Sequence, residues 1–249
     1  MQQLRILMDM PIKVEVADEH ATEEIFNKVF DYFNYIDRTF SIFKPESEIS
    51  KINRGELKLT EASKDMQLVF KLAEETKELT KGYFNIKTPS GSYDPSGLVK
   101  GWAIYQAAEL VKQEGFNNFF IDAGGDVQVF GKNAQGQPWS VGIRNPFNRE
   151  EVVKVVVLKN NEGIATSGTY IRGQHIYNPL EPQKNLEEIL SLTVIGPNIY
   201  EADRFATAAF AMGKDGILFI NQLNGFEGYQ INTQGIGTET NNFNQYVRT

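Results

Sequence analysis

The sequence predicts an α+β fold of mixed or antiparallel sheets with packed helices. Three observations carry this. Segments with apolar residues at helical spacing are interleaved with segments of strand character. The strands come in runs, without the strict strand–helix–strand alternation of a parallel sheet. And 249 residues, 41% hydrophobic and 12% aromatic, suffice for a sizeable core in a single domain, 1–249, built as one body or as two closely joined lobes.

In chain order, Leu4, Ile6, Met8, Met10, Ile12, Val14 and Val16 alternate as one or two strands with a buried face. From Thr22 to Ile36, the residues Ile25, Val29, Phe33 and Ile36 fall on one helix face, and Thr22 is placed to cap it. Phe40 to Phe43 reads as a short strand, and Glu48 to Asn53 as a helical turn. Met66, Val69, Phe70, Ala73, Thr76 and Leu79 mark a second amphipathic helix closed by Gly82. After the turn-rich stretch Pro89 to Gly97, a third helix carries Val99, Trp102, Ala103, Gln106, Leu110 and Val111, and Gly115 ends it. Residues 119–121, 127–130, 139–143 and 152–158 read as strands joined by Gly, Asn and Pro turns. Ile164 to Tyr170, Leu192 to Ile195 and Tyr229 to Asn232 are further strands; Tyr200 to Met212 and Gly216 to Leu223 are helices.

Composition removes several function classes. The net charge is −7 and no basic cluster exists, which argues against a nucleic-acid partner. Without cysteine there is no disulfide, thiolate metal site or cysteine nucleophile. No segment approaches the roughly 18 apolar residues of a membrane span. Met1 to Lys13 lacks the apolar run of an export signal, so the chain as given is expected in the cytoplasm, or exported if a leader precedes it.

Four stretches carry reactive groups. Asp94-Pro95-Ser96-Gly97-Leu98-Val99-Lys100-Gly101 runs into a helix. The first turn of a helix offers free N–H groups and a positive dipole end to phosphate, although Asp94 and Ser96 are equally ordinary N-cap residues. Gly124-Gly125-Asp126 joins two strands as a tight turn, not as a dinucleotide fingerprint, because a strand follows it. Ser167 to Tyr170 and His175 to Pro179 hold one of two histidines, the side chain suited to proton transfer near neutrality. The other, His20, sits beside Asp18 and Glu19 as solvated surface. Asp203 and Thr207, four apart on a helix, share a face. A carboxylate and a hydroxyl there can hold a hard cation such as Mg²⁺, or simply cap the helix and fill its neighbourhood.

Together and in this order the stretches resemble the ApbE-type flavin transferase family (FAD:protein FMN transferase). The family's D-x-x-G/A-x-x-K/E-G turn is matched by Asp94 to Gly101, its GGD-like turn by Gly124 to Asp126, and its P-W-x-V-G-I strand by Pro138 to Ile143. Its S-G-x-Y and H-I/V-x-x-P stretches are matched by Ser167 to Tyr170 and His175 to Pro179, and its A-D-x-x-x-T helix by Ala202 to Thr207. Its F-S-x-Y/F…S-E-I-S-x-x-N pattern is matched by Phe40 to Phe43 and Ser47 to Asn53. The chain departs from the family where Met8-Asp9-Met10 replaces Met-Gly-Thr, where Asn85 replaces an aspartate, and where the aromatic block before Asp94 is missing.

The resemblance implies an ApbE-like fold and a Mg²⁺ site of Asp203, Thr207 and the Gly97 carbonyl; a carbonyl ligand places no demand on the side chain. It implies FAD contacts from Met8, Phe43, Asp94, Lys100 and Tyr177, and a catalytic role for His175 and Asp203. His175, near the scissile phosphate, is the candidate base. The implied reaction cleaves FAD, attaches FMN through a phosphoester to a Thr or Ser of a partner protein and releases AMP. Two alternatives are an FAD pyrophosphatase with water as acceptor, and a non-catalytic FAD-binding protein.

Overall fold

The alternating N-terminal residues form a hairpin of β1 (Gln2–Leu7) and β2 (Met10–Val16), in register from Gln2↔Glu15 to Leu7↔Met10. Its two-residue tip, Met8 and Asp9, has φ of 53° and 56°, the left-handed pair of a type I′ turn, whose twist suits a hairpin but whose preferred residues are Asn and Gly. Asp9→Gly is therefore expected to raise stability by roughly 0.5–1 kcal/mol, read as a higher midpoint in thermal or urea unfolding.

In this computed structural model, residues 1–148, 150–168, 176–183 and 186–248 are described. Among them, β1 and β2 continue into β3 (Phe119–Ala123), β4 (Asp126–Phe130), β7 (Gly163–Gly168), β8 (Ile189–Gly196), β9 (Glu227–Asn232) and β10 (Gly237–Glu239), in that spatial order. Every neighbouring pair is antiparallel. Between β4 and β7 the chain forms a separate ribbon, β5 (Ser140–Arg144) with β6 (Val152–Val157).

The middle of the sheet is covered on both faces, and the side-chain period of two decides which residue serves which core. Ala165 and Val194 join the main core, beneath α1 (Glu23–Phe40), α4 (Ser96–Gln113) and α5 (Ile199–Ala211). Their neighbours Ile164 and Ile195 join a second core with Val127, Val129, Trp139, Val156, Phe243 and Tyr246. Two-sided coverage leaves β8 buried along nearly its whole length, Ser191 and Thr193 included.

The helices follow their apolar stripes. On α1, Ile25, Phe26, Val29, Phe30, Phe33, Ile36 and Phe40 are all buried. Here the structure corrects the reading of 40–43 as a strand. Phe40 lies one turn beyond Ile36, completes the stripe and meets Trp102 edge-on at 5.8 Å, so the helix continues through it. Ser41 then caps the end and Phe43 turns out to solvent. Thr22 occupies the N-cap position of α1 without a side-chain cap bond. α2 (Glu48–Asn53) is capped by Ser47, whose Oγ accepts from the Ser50 N–H at 3.1 Å. α3 (Lys64–Leu79) ends where Gly82, at φ 88°, donates its N–H to the Lys77 carbonyl at 2.8 Å. The short α6 (Gly216–Asn221) packs on β9. β10, three residues long, has no legible period and was not anticipated from sequence.

Candidate active site

α4 and α5 meet at the centre of the molecule, and glycine makes the approach possible. Gly97 and Gly101 lie one turn apart on α4; Asp203 and Thr207 lie one turn apart on α5. The Gly101 N–H donates to Asp203 Oδ2 at 2.8 Å, and the Thr207 hydroxyl donates to the Gly97 carbonyl at 3.3 Å. A Cβ on Gly101 would lie 2.5 Å from Asp203 Cβ and 2.9 Å from the Ile199 carbonyl oxygen. A Cβ on Gly97 would lie 3.1 Å from Thr207 Cγ2. Gly97 thus has a packing role that the sequence reading, which gave it only a carbonyl, did not include.

Lys100, between the two glycines, points its ammonium at two carboxylates. It pairs with Asp126 Oδ2 and lies 3.9 Å from Asp203 Oδ1. Asp126, the first residue of β4, is 2% exposed, and its Oδ1 accepts the Thr166 N–H from β7 at 3.0 Å. Ser167 Oγ lies 3.5 Å from Thr207 Oγ1. Two strands and two helices thereby deliver polar groups to one place.

The rim is also built. Asp94 Oδ1 accepts from the Ser96 N–H at 3.0 Å and from its hydroxyl at 2.5 Å, which fixes the entry to α4. Asn53, the last residue of α2, clamps the preceding peptide: its Nδ2 donates to the Tyr93 carbonyl at 2.9 Å and its Oδ1 accepts the Tyr93 N–H at 2.7 Å. Burial pushes the Tyr177 phenol above its usual range, and the charge of Asp94 adds to the shift, so the two belong to one neighbourhood. Burial also raises the Asp122 carboxyl, against the opposing pull of the Gly125 N–H bonded to it at 2.8 Å.

Of the residues expected from sequence, Gly97, Lys100, Asp203 and Thr207 come together, with Asp94 and Tyr177 at the rim. Met8 sits at the hairpin tip; the neighbouring Gly124 donates its N–H to the Pro11 carbonyl at 3.0 Å, which places this tip beside the Gly124-Gly125 turn. Phe43 is 83% exposed, and no hydrogen bond, ion pair or ring contact among the described residues ties it to the cluster. His175 lies outside the described residues, as do Thr169 and Tyr170. Sequence reasoning quoted Asn53, Asp126, Ser167 and Gly101 inside motifs but gave them no role. Their signal was membership of those motifs; their function depends on contacts between distant strands and helices.

The donor set suits a hard cation. It offers a carbonyl, a hydroxyl and one carboxylate, all oxygen. The 3.3 Å between Gly97 O and Thr207 Oγ1 is close to the roughly 3 Å edge between adjacent ligands of an octahedron with bonds of about 2.1 Å. No group of three or more His, Asp or Glu side chains gathers among the described residues, so this set leaves coordination positions to water and substrate. Nor is any helix among them long and apolar enough to cross a membrane.

Comparison with known proteins shows the family. Residues 8–92 and 87–229 match the family model described as the ApbE family. This chain belongs to the ApbE family. Among curated relatives it is similar to the FAD:protein FMN transferase of Salmonella typhimurium, 33% identical over 155 residues that make up 59% of this chain and 44% of that protein. It is likewise similar to the FAD:protein FMN transferase of Escherichia coli strain K12, 30% identical over 166 residues, or 64% of this chain and 47% of that one. The matched segments thus span about half the length of these relatives. Among solved structures, the ApbE protein of Thermotoga maritima superposes with a TM-score of 0.87 at 21% identity, over 100% of this chain and 99% of that one. The flavin transferase ApbE of Vibrio cholerae superposes with a TM-score of 0.84 at 19% identity, over 99% of each chain. The ApbE fold is therefore present nearly end to end.

Proposed function

We propose that this ApbE-family chain is a Mg²⁺-dependent FAD:protein FMN transferase, which moves FMN onto a Thr or Ser hydroxyl of a partner protein and releases AMP. The observation that supports this most is the convergence of the Gly97 carbonyl, the Thr207 hydroxyl and the Asp203 carboxylate beside Lys100. The activity printed in the names of its relatives points the same way.

In this reading Asp203, Thr207 and the Gly97 carbonyl hold the cation. Bound Mg²⁺ would supply charge neutralisation to the diphosphate of FAD. The chain supplies orientation. The Gly101 N–H holds Asp203 from one side, and Lys100 adds a positive charge where the phosphoryl group reacts. The acceptor oxygen forms a bond to the FMN phosphorus as the bond from that phosphorus to the bridging oxygen breaks. AMP departs with the bonding electrons, and the hydroxyl proton passes to His175, the proposed base.

The test mixes the protein with FAD, Mg²⁺ and a peptide of pattern D-x-x-S/T-G-A-S/T, following AMP by chromatography and the peptide by mass spectrometry, with a chelator control. AMP with a flavinylated peptide is the expected result. AMP and FMN with unmodified peptide would make the chain a pyrophosphatase toward this acceptor, and FAD retained without AMP would make it a binding protein. Thr207→Val, which keeps the shape and removes the hydroxyl, is expected to raise the Mg²⁺ concentration needed for half-maximal rate by roughly tenfold or more, whereas Thr207→Ser should stay near the parent.

A further inference from the structure

The group of this site that neither the metal set nor the FAD contacts use is Asp126. It is almost fully buried on β4, and its carboxyl group meets Lys100. Two contacts place it: Oδ1 accepts the Thr166 N–H from β7, and Oδ2, buried and without a hydrogen bond, faces the ammonium of Lys100 as an ion pair. The same ammonium lies 3.9 Å from Asp203 Oδ1. Lys100 therefore stands between two carboxylates, one of which is the only carboxylate of the proposed cation set.

An ammonium that settles on Asp203 competes with a metal cation for the same charge. We propose that Asp126 is a positioning residue that anchors Lys100 and so keeps Asp203 available to a divalent cation. This rests on the reading of Asp203 as a metal ligand. With Asp126 charged, the lysine is drawn toward β4 and its competition at Asp203 is weak. With Asp126 replaced by a neutral residue, Lys100 turns toward Asp203, the other carboxylate paired with it among the described residues, and the cation must displace it. Asp126 also lowers the positive potential that Lys100 imposes on the site. Both effects act in the same direction on cation affinity.

The test is Mn²⁺ binding to the FAD-free 249-residue chain, followed by loss of the free-ion electron paramagnetic resonance signal. Asp126→Asn retains an oxygen for the Thr166 N–H while removing the charge. It is expected to weaken Mn²⁺ binding on the order of tenfold, the scale of one charge acting on another within about 4–6 Å. Lys100→Met is expected to bind Mn²⁺ at least as tightly as the parent, and Asp126→Asn/Lys100→Met to recover the affinity lost in Asp126→Asn. A merely structural role would give no such recovery. Unchanged affinity in Asp126→Asn, no recovery in the double variant, or weaker binding in Lys100→Met would each overturn the proposal; the last applies even if Asp126→Asn does not fold. A parent that binds Mn²⁺ in this Asp126-dependent way but leaves FAD intact would sink the transferase reading and leave this one standing. A parent that cleaves FAD with Asp126→Asn affinity unchanged would do the reverse; a parent that binds no Mn²⁺ in the absence of FAD would overturn this proposal, while the transferase reading stands or falls on AMP release with FAD and Mg²⁺.

Discussion

The Asp203→Asn protein will fold like its parent and lose FAD cleavage by about a thousandfold or more. The argument has two halves. Asn retains an oxygen that can accept the Gly101 N–H, so the bond linking α4 to α5 at 2.8 Å survives. What disappears is the single carboxylate among the proposed cation ligands, and with it several kcal/mol of charge stabilisation, each 1.36 kcal/mol of which is about tenfold in rate. Asp203→Ala should lose as much activity and also some stability. It leaves the Gly101 N–H without this partner inside the molecule, at a cost of about 1–3 kcal/mol. AMP release across a Mg²⁺ titration, with thermal melts of all three proteins, checks both halves. Turnover in Asp203→Asn within tenfold of the parent would remove Asp203 from the chemistry.

Gly101→Ala should strongly destabilise the α4–α5 crossing. Its Cβ would lie 2.5 Å from Asp203 Cβ and 2.9 Å from the backbone oxygen of Ile199, so the relief must come from moving one helix against the other. Both helices are anchored in the main core, through Trp102, Ala103, Ala202 and Ala206 among others. An overpacking cost of about 3 kcal/mol is expected, or roughly 10 °C in melting temperature for a domain of this size. Gly55→Ala is the contrast: φ is +74° with nothing within 4 Å of the added Cβ, so only backbone strain is incurred, about 1 kcal/mol. Equal losses in the two variants would mean that the α4–α5 crossing is not tight.

Periodicity made most of the fold legible. The stripes of α1, α3 and α5 and the strands from 119 to 168 follow from local patterns that burial imposes and the structure retains. The reading failed where a short apolar run fits two templates: residues 40–43 are as apolar as a strand, but Phe40 belongs to a stripe that began at Ile25. The site was legible as motifs and not as relations. Asp94, Gly97, Lys100 and Gly101 are four residues of one pattern, yet their roles separate only when α5 and β4 are in place. Gly97 and Gly101 receive a neighbouring helix, Lys100 meets a strand residue, and Asp94 fixes the turn. Nothing in the local sequence announces that Asp126 will find Lys100, because sheet register and helix crossing decide that together.

The bond between Gly101 and Asp203 joins residues 102 apart in the chain, and the Thr207–Gly97 bond joins residues 110 apart. Closing loops of that length carries an entropic cost before any contact rewards it. Neither half of the chain can assemble the cluster alone, so chemistry should arrive late in folding. A nascent chain that has formed α4 but not yet α5 has the Gly97 carbonyl and Lys100 in place without Asp203 and Thr207. Competence for turnover then becomes a report on complete folding, and during refolding the recovery of cation binding should coincide with the slowest phase of burial in the main core.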